Sequence, residues 1–137
     1  QYIFHLCSKK LAIYLGTLGL IPNKTKKLHI TSSLWNSHFV RGFFEGDGHV
    51  RKTKENSKYV RYSIGFVCAS EKFIYSLKKY LDSKNINSKV KKENTYFRLN
   101  IEGKIMVNKF YKLIYKNCGI WYLNRKKQIL DQLFSNE

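Results

Sequence analysis

The sequence predicts an α/β (α+β) chain, one four-stranded antiparallel sheet with helices in the order α-β-β-α-β-β-α-α. Two stretches, 49–68 and 87–101, alternate apolar and polar residues like paired strands. Four others carry apolar residues at helical spacing. One proline, no Gly/Ser-rich linker and 137 residues fit a domain of ordinary size with a real core.

The elements follow in order. "YIFHLCSKKLAIYLGTLGLIPNKTKKLHI" (2–30) reads as an apolar strand ending at Cys7 and a Ser-capped helix with Leu11, Leu15 and Leu18, then a turn and a basic strand. The same succession recurs in "YSIGFVCASEKFIYSLKKYLDSKNINSKVKK" (62–92), with Cys68, a cap near Ser70, and Phe73, Leu77 and Leu81 on the helix. This reads as an internal repeat, the alternative being a chance likeness of two β-helix-β units. Residues 1–33 are then the tail end of a preceding repeat, and 34–137 form a complete one. Gln1 as first residue and Met106 as the only methionine lead us to expect a longer chain. Its earlier part would carry the first repeat's own version of "FVRGFFEGDG".

Residues 34–46 read as a helix with Leu34, Trp35, Phe39, Val40, Phe43 and Phe44 apolar. Gly48 starts a strand, "KENSK" (54–58) turns it, and 59–68 return. A helix over 70–84 follows, then strands near 87–93 and 95–101. Helices near 103–116 and 122–134 complete the chain, the last with Ile129, Leu130 and Leu133 apolar.

Charge narrows the function. Lys and Arg number 26 against nine acidic residues, for a net +17. So large a charge repels itself, and nucleic acid is the polyanion that best explains it. A membrane surface fits less well, because the cations are not confined to one face of an amphipathic helix. A merely Lys-rich soluble protein is the plainer alternative. No apolar run is long enough to span a bilayer, and "QYIFHLC" is no signal peptide. Cys7, Cys68 and Cys118 are odd in number and lack CxxC spacing. That argues against zinc and for an intracellular, reducing compartment, with Cys7 and Cys68 as small core residues.

Two of the nine acids, Glu45 and Asp47, sit in "HFVRGFFEGDGHV" (38–50). Glycine inside a helix costs about 1 kcal/mol against alanine, so Gly42 and Gly46, four apart on one face, need a reason. Small residues at that spacing let a second backbone approach closely, which makes them candidate interface residues. Gly48 then lets the chain turn into the strand. Asp47 falls at the helix C-terminus, where the helix dipole disfavours an anion and a bound cation explains it better. Two such carboxylates side by side over phosphates would form a Mg²⁺ site for in-line phosphodiester displacement.

"VRGFFEGDG" (40–48) resembles the signature motif of the LAGLIDADG homing endonucleases, residue for residue. The stretch "CSKKLAIYLGTLGLIPNKTKKL" is similar to what precedes the second motif in two-motif members. The resemblance implies the family's αββαββα fold with a saddle-like antiparallel sheet. It implies that Asp47 binds a divalent metal, Mg²⁺, shared with the equivalent residue of another motif, and gives Glu45 no metal role. A basic residue of an "L-x-x-K" pattern assists the chemistry in the family. Here "YLNRKKQ" (122–128) offers Lys126, with Arg125 and Lys127 competing. Ser70 falls where other members carry a polar residue that orients water.

Alternation sorts the sheet. In 59–68, Val60, Tyr62, Ile64, Phe66 and Cys68 point to the core, and Arg61, Ser63, Gly65 and Val67 point outward. In 49–55 the outer set is His49, Arg51, Thr53 and Glu55. Lys89, Lys91, Arg98 and Asn100 are outward on the other hairpin. Arg, Lys, Thr, Ser and Asn suit base edges and phosphates. The candidate DNA contacts are therefore Arg51, Thr53, Arg61, Ser63, Lys89, Lys91, Arg98 and Asn100. The resemblance implies that this face lies in the major groove of duplex DNA.

The expectation is a Mg²⁺-dependent, site-specific double-strand DNA endonuclease with a long asymmetric target. Its partner would be a second LAGLIDADG motif, from an earlier part of the chain or from a homodimer. The alternative is a nucleic-acid-binding descendant without cleavage, such as an RNA-splicing maturase or a regulator. An intein insert lacks support, because "LFSNE" shows no His-Asn terminus.

Overall fold

The structure, a computed structural model, describes residues 7–20, 28–55 and 59–134. Its elements are α1 (Lys9–Thr17), a 3-10 turn (Ser32–Leu34), α2 (Ser37–Asp47), β1 (His49–Glu55), β2 (Tyr59–Cys68), α3 (Glu71–Asp82), β3 (Lys89–Lys92), β4 (Phe97–Glu102), α4 (Lys104–Tyr115) and α5 (Asn124–Phe134). The four strands form one antiparallel sheet in the order β1-β2-β4-β3. This is the expected α+β architecture.

Helix ends differ from expectation by a few residues, for local reasons. Asn36 Oδ1 accepts the Phe39 N–H at 2.9 Å and so starts α2 at Ser37, later than the apolar spacing alone predicts. Leu34 is left in the 3-10 turn. At the other end, a Cβ on Gly48 would lie 2.7 Å from the Phe44 carbonyl oxygen. Only glycine lets the chain leave α2 this closely and enter β1. Ser70 caps α3, and Asn85, at φ 56°, turns the chain after it.

One core joins α2, α3, α4 and the inner sheet face. Phe44, Phe66 and Phe110 meet edge to face with centroids 5.4–6.1 Å apart, and Phe43 stacks on Phe66 at 5.3 Å. Burying each such ring stabilises by about 1.5–3 kcal/mol. With Val40 and Phe44 committed inward, Gly42 and Gly46 must face outward, and open space surrounds both. In α5, Leu130 and Leu133 are buried, while Ile129 is exposed.

Several expectations need correction. Cys7 is exposed rather than a core residue. It adjoins α1, none of whose residues is buried. Leu28–Ile30, expected as a basic strand, have no regular structure; Ile30 is drawn into the core instead. Val60 is exposed, and the buried inward residues of β2 begin only at Ile64. The first expected strand, most of the turn at 21–27 and the hairpin tip at 56–58 lie outside the described residues.

Candidate nucleic-acid interface and catalytic centre

The pairing register builds the outer sheet face. Arg51 opposes Ser63 and Thr53 opposes Arg61 across β1 and β2. Lys89 opposes Asn100 and Lys91 opposes Arg98 across β3 and β4. Directly paired residues share a face, so all eight expected contact residues come together. Six of them, Arg51, Thr53, Arg61, Ser63, Lys89 and Asn100, line one groove of 760 Å³. Glu93 lies 3.5 Å from Lys91 and 4.0 Å from Arg98, and Glu102 lies 3.6 Å from Lys89. Lys89 and Lys91 are exposed, so their pairs hold them only weakly, while the Arg98–Glu93 pair is half-buried.

The motif helix ends beside this face, and its two acids have separate fates. Residues two apart on a helix point about 200° away from each other, so Glu45 and Asp47 do not converge. Glu45 is buried. One of its oxygens accepts the Tyr115 hydroxyl, and the other accepts the Leu123 N–H at 3.0 Å. Burial, with the Glu45 carboxylate beside it, pushes the Tyr115 phenol far above its ordinary range, so it stays a donor. Asp47 is exposed and makes no hydrogen bond or ion pair among the described residues.

Lys126 arrives from the first turn of α5. The Leu123 carbonyl accepts the Lys126 and Lys127 N–H groups, and Glu45 holds the Leu123 N–H. The side chain then runs back under α2, and its ammonium donates to the Phe44 and Gly48 carbonyls at 2.5 Å each. It thereby caps the C-terminus of α2 with positive charge, where the dipole favours it. Burial lowers its pKa, with Arg125 adding to the shift, while Glu45 and Asp47 oppose it.

The three competing cations are thus distinguished. Lys127 bonds both Asp131 oxygens at 2.9–3.0 Å and lies over the rings of Tyr111, Tyr115 and Tyr122. Arg125 is exposed. Only Lys126 reaches the end of the motif helix. Ser70, by contrast, is 1% exposed, donates to the Leu28 carbonyl at 2.6 Å and accepts the Phe73 N–H. It is a helix cap, not a water-orienting group.

Sequence reasoning left His49 unassigned, although its position two residues after Asp47 and the glycine in mid-strand at 65 both mark it. Its ring lies over Gly65, on the outer face. Burial, then the charges of Arg51, Arg98 and Lys126, lowers its pKa.

Asp47 suits a hard divalent cation, being an exposed carboxylate oxygen donor that no described cation pairs with. It is a single ligand. No group of three or more His, Cys, Asp or Glu converges among the described residues. A cation held there would need further oxygen ligands.

The sequence profile of the LAGLIDADG-like domain matches residues 34–115. Among solved structures, the chain is similar to the LAGLIDADG meganuclease I-AabMI bound to uncleaved DNA, with a TM-score of 0.58 and 16% identity over 73% of this chain and 35% of that one. It is similar to the homing endonuclease I-CvuI in complex with a DNA target in the presence of Mg, with a TM-score of 0.56 and 17% identity over 72% and 63%. The homing endonuclease I-TnaI matches with a TM-score of 0.54 and 17% identity over 73% and 69%. At these identities the likeness is one of fold. The chain spans about a third of I-AabMI (35%) and 63% of I-CvuI. No curated protein sequence matches.

Proposed function

The chain belongs to the family of LAGLIDADG-like domains, and we propose that it is a Mg²⁺-dependent, site-specific double-strand DNA endonuclease of the homing type. One observation carries this reading: the Asp47 carboxylate, unpaired among the described residues, and the Lys126 ammonium both sit at the C-terminal end of the motif helix, where the cationic strand β1 begins. A binding protein needs the face. It does not need an exposed anion beside it, which repels phosphate.

The residues divide the work. Arg51, Arg61, Lys89, Lys91 and Arg98 neutralise phosphates, and Thr53, Ser63 and Asn100 address base edges. This draws the duplex across the sheet toward Asp47. Asp47 would hold the divalent cation, which supplies charge neutralisation at the scissile phosphate. Lys126 uses two donors on the carbonyls of Phe44 and Gly48. Its third remains to stabilise charge building on the phosphoryl oxygens. Glu45 fixes the start of α5 and so the reach of Lys126.

A second motif completes the site. Gly42 and Gly46 leave room for a helix to approach α2 at close range. Ile120, Trp121 and Leu123 stand exposed around the neighbouring hollow, at 83%, 76% and 48%. An apolar margin of this kind beside a small-residue strip suits a second copy or a homologous repeat.

The test is Asp47→Asn. Cleavage of a selected DNA site should fall by about 10²–10³-fold, the order of magnitude for removal of a charge-stabilising group. Binding in Ca²⁺ should stay within a few-fold of the unsubstituted chain. Undiminished cleavage would remove Asp47 from the chemistry. Tight binding of structured RNA in preference to duplex DNA at matched salt would favour a splicing maturase instead.

A further inference from the structure

His49 opens β1 two residues after Asp47, on the outer sheet face. It begins a row of directly paired residues, His49–Gly65–Asn100–Lys89, that crosses all four strands. Gly65 is buried although it belongs to the outer face. The imidazole explains that. A Cβ on Gly65 would lie 2.3 Å from His49 Cε1 and Nε2, and 3.2 Å from Asn100 Oδ1. A strand interior gives up stability to hold a glycine, and here the vacated space is the seat of the ring.

Resting on the endonuclease reading above, we propose that His49 is a specificity-determining residue that reads the base pair beside the scissile phosphate. Among the outer-face side chains it is the closest along the chain to Asp47, whereas Arg51 and Thr53 follow it outward along β1. The ring is held by Gly65 before DNA arrives, so little side-chain freedom is lost on contact. The long Lys and Arg side chains around it lack that advantage. Each ring nitrogen can make one hydrogen bond in the ring plane, a geometry that suits a base edge. Asn100, in the same row, extends the reading away from the cleavage point.

The experiment is selection of bound duplexes from a randomised DNA library in Ca²⁺, with the 137-residue chain and its His49→Ala, Asn100→Ala and Gly65→Ala variants. Thermal melts establish that each variant is folded. In His49→Ala, preference should fall by about 10-fold at one or two adjacent base pairs nearest the cut, mapped on the same sites cleaved in Mg²⁺. Preferences elsewhere, and affinity for unselected duplex, should persist. Asn100→Ala should relax the neighbouring positions instead. Gly65→Ala keeps the imidazole but displaces it, and should alter the positions that His49→Ala relaxes. Unchanged preference at every position in folded His49→Ala would overturn the inference while leaving the endonuclease reading intact. No base preference in the unsubstituted chain would overturn that reading, and this inference with it.

Discussion

Glu45→Gln separates two acids that are nearly adjacent in sequence. Glu45 accepts two hydrogen bonds inside the protein, from the Tyr115 hydroxyl and the Leu123 N–H. Glutamine has the same shape but only one acceptor oxygen. Whichever donor it keeps, its NH₂ group faces the other. One charge-assisted hydrogen bond is lost, worth about 1.5–3 kcal/mol, and a partly buried donor is left unpaired. We predict a net loss of about 2–3 kcal/mol. For 137 residues the unfolding entropy is near 0.29 kcal/mol/K, so the melting temperature should drop by roughly 7–10 °C. Asp47→Asn should do the opposite, leaving stability unchanged or raising it by about 0.3–1 kcal/mol, because it removes an anion from a helix C-terminus. Differential scanning calorimetry and a cleavage assay on both variants give the comparison. Glu45→Gln that melts like the unsubstituted protein yet abolishes cleavage would overturn the structural role of Glu45, which would then belong to the chemistry.

Other predictions follow from the same contacts. Lys126→Met should lower both stability, by about 2 kcal/mol, and cleavage, because it strips the cation from the Phe44 and Gly48 carbonyls; Lys127→Met should affect stability alone. Gly48→Ala forces a Cβ against the Phe44 backbone and should cost about 1–3 kcal/mol in urea denaturation, with wild-type stability as the contrary result. The Tyr115 pKa is raised above 10.0 in the folded state. Above that pH the unfolded chain releases a proton that the folded chain keeps. Stability therefore falls as pH rises past about 10, and Tyr115→Phe should flatten that fall in urea midpoints measured across the alkaline range.

The sheet and its flanking helices were legible because local periodicity and burial agree. In β2, Ile64, Phe66 and Cys68 are buried and Val67 is exposed, as alternation predicts, with Val60 and Gly65 the departures, and Phe73, Leu77 and Leu81 of α3 all face the core. Gly48 marked the end of α2, where its missing side chain is needed. What the sequence left open fell where a residue's partner is far away in the chain. Ser70 is consumed by Leu28, 42 residues earlier, and Glu45 by Tyr115 and Leu123, 70 and 78 residues later. No spacing rule shows such bonds. Arg125, Lys126 and Lys127 look alike in sequence, and only packing against α2 singles out Lys126. His49 was visible on the outer strand face, but its seat depends on Gly65 from the neighbouring strand.

The most direct measurement is incubation of the chain with a supercoiled plasmid library of partly random sites, in Mg²⁺ and in Ca²⁺, at protein concentrations that saturate binding. Selective linearisation is expected in Mg²⁺, with the same sites bound but intact in Ca²⁺. Site-selective binding with the plasmids left uncut in Mg²⁺, when two copies occupy each site, would contradict it.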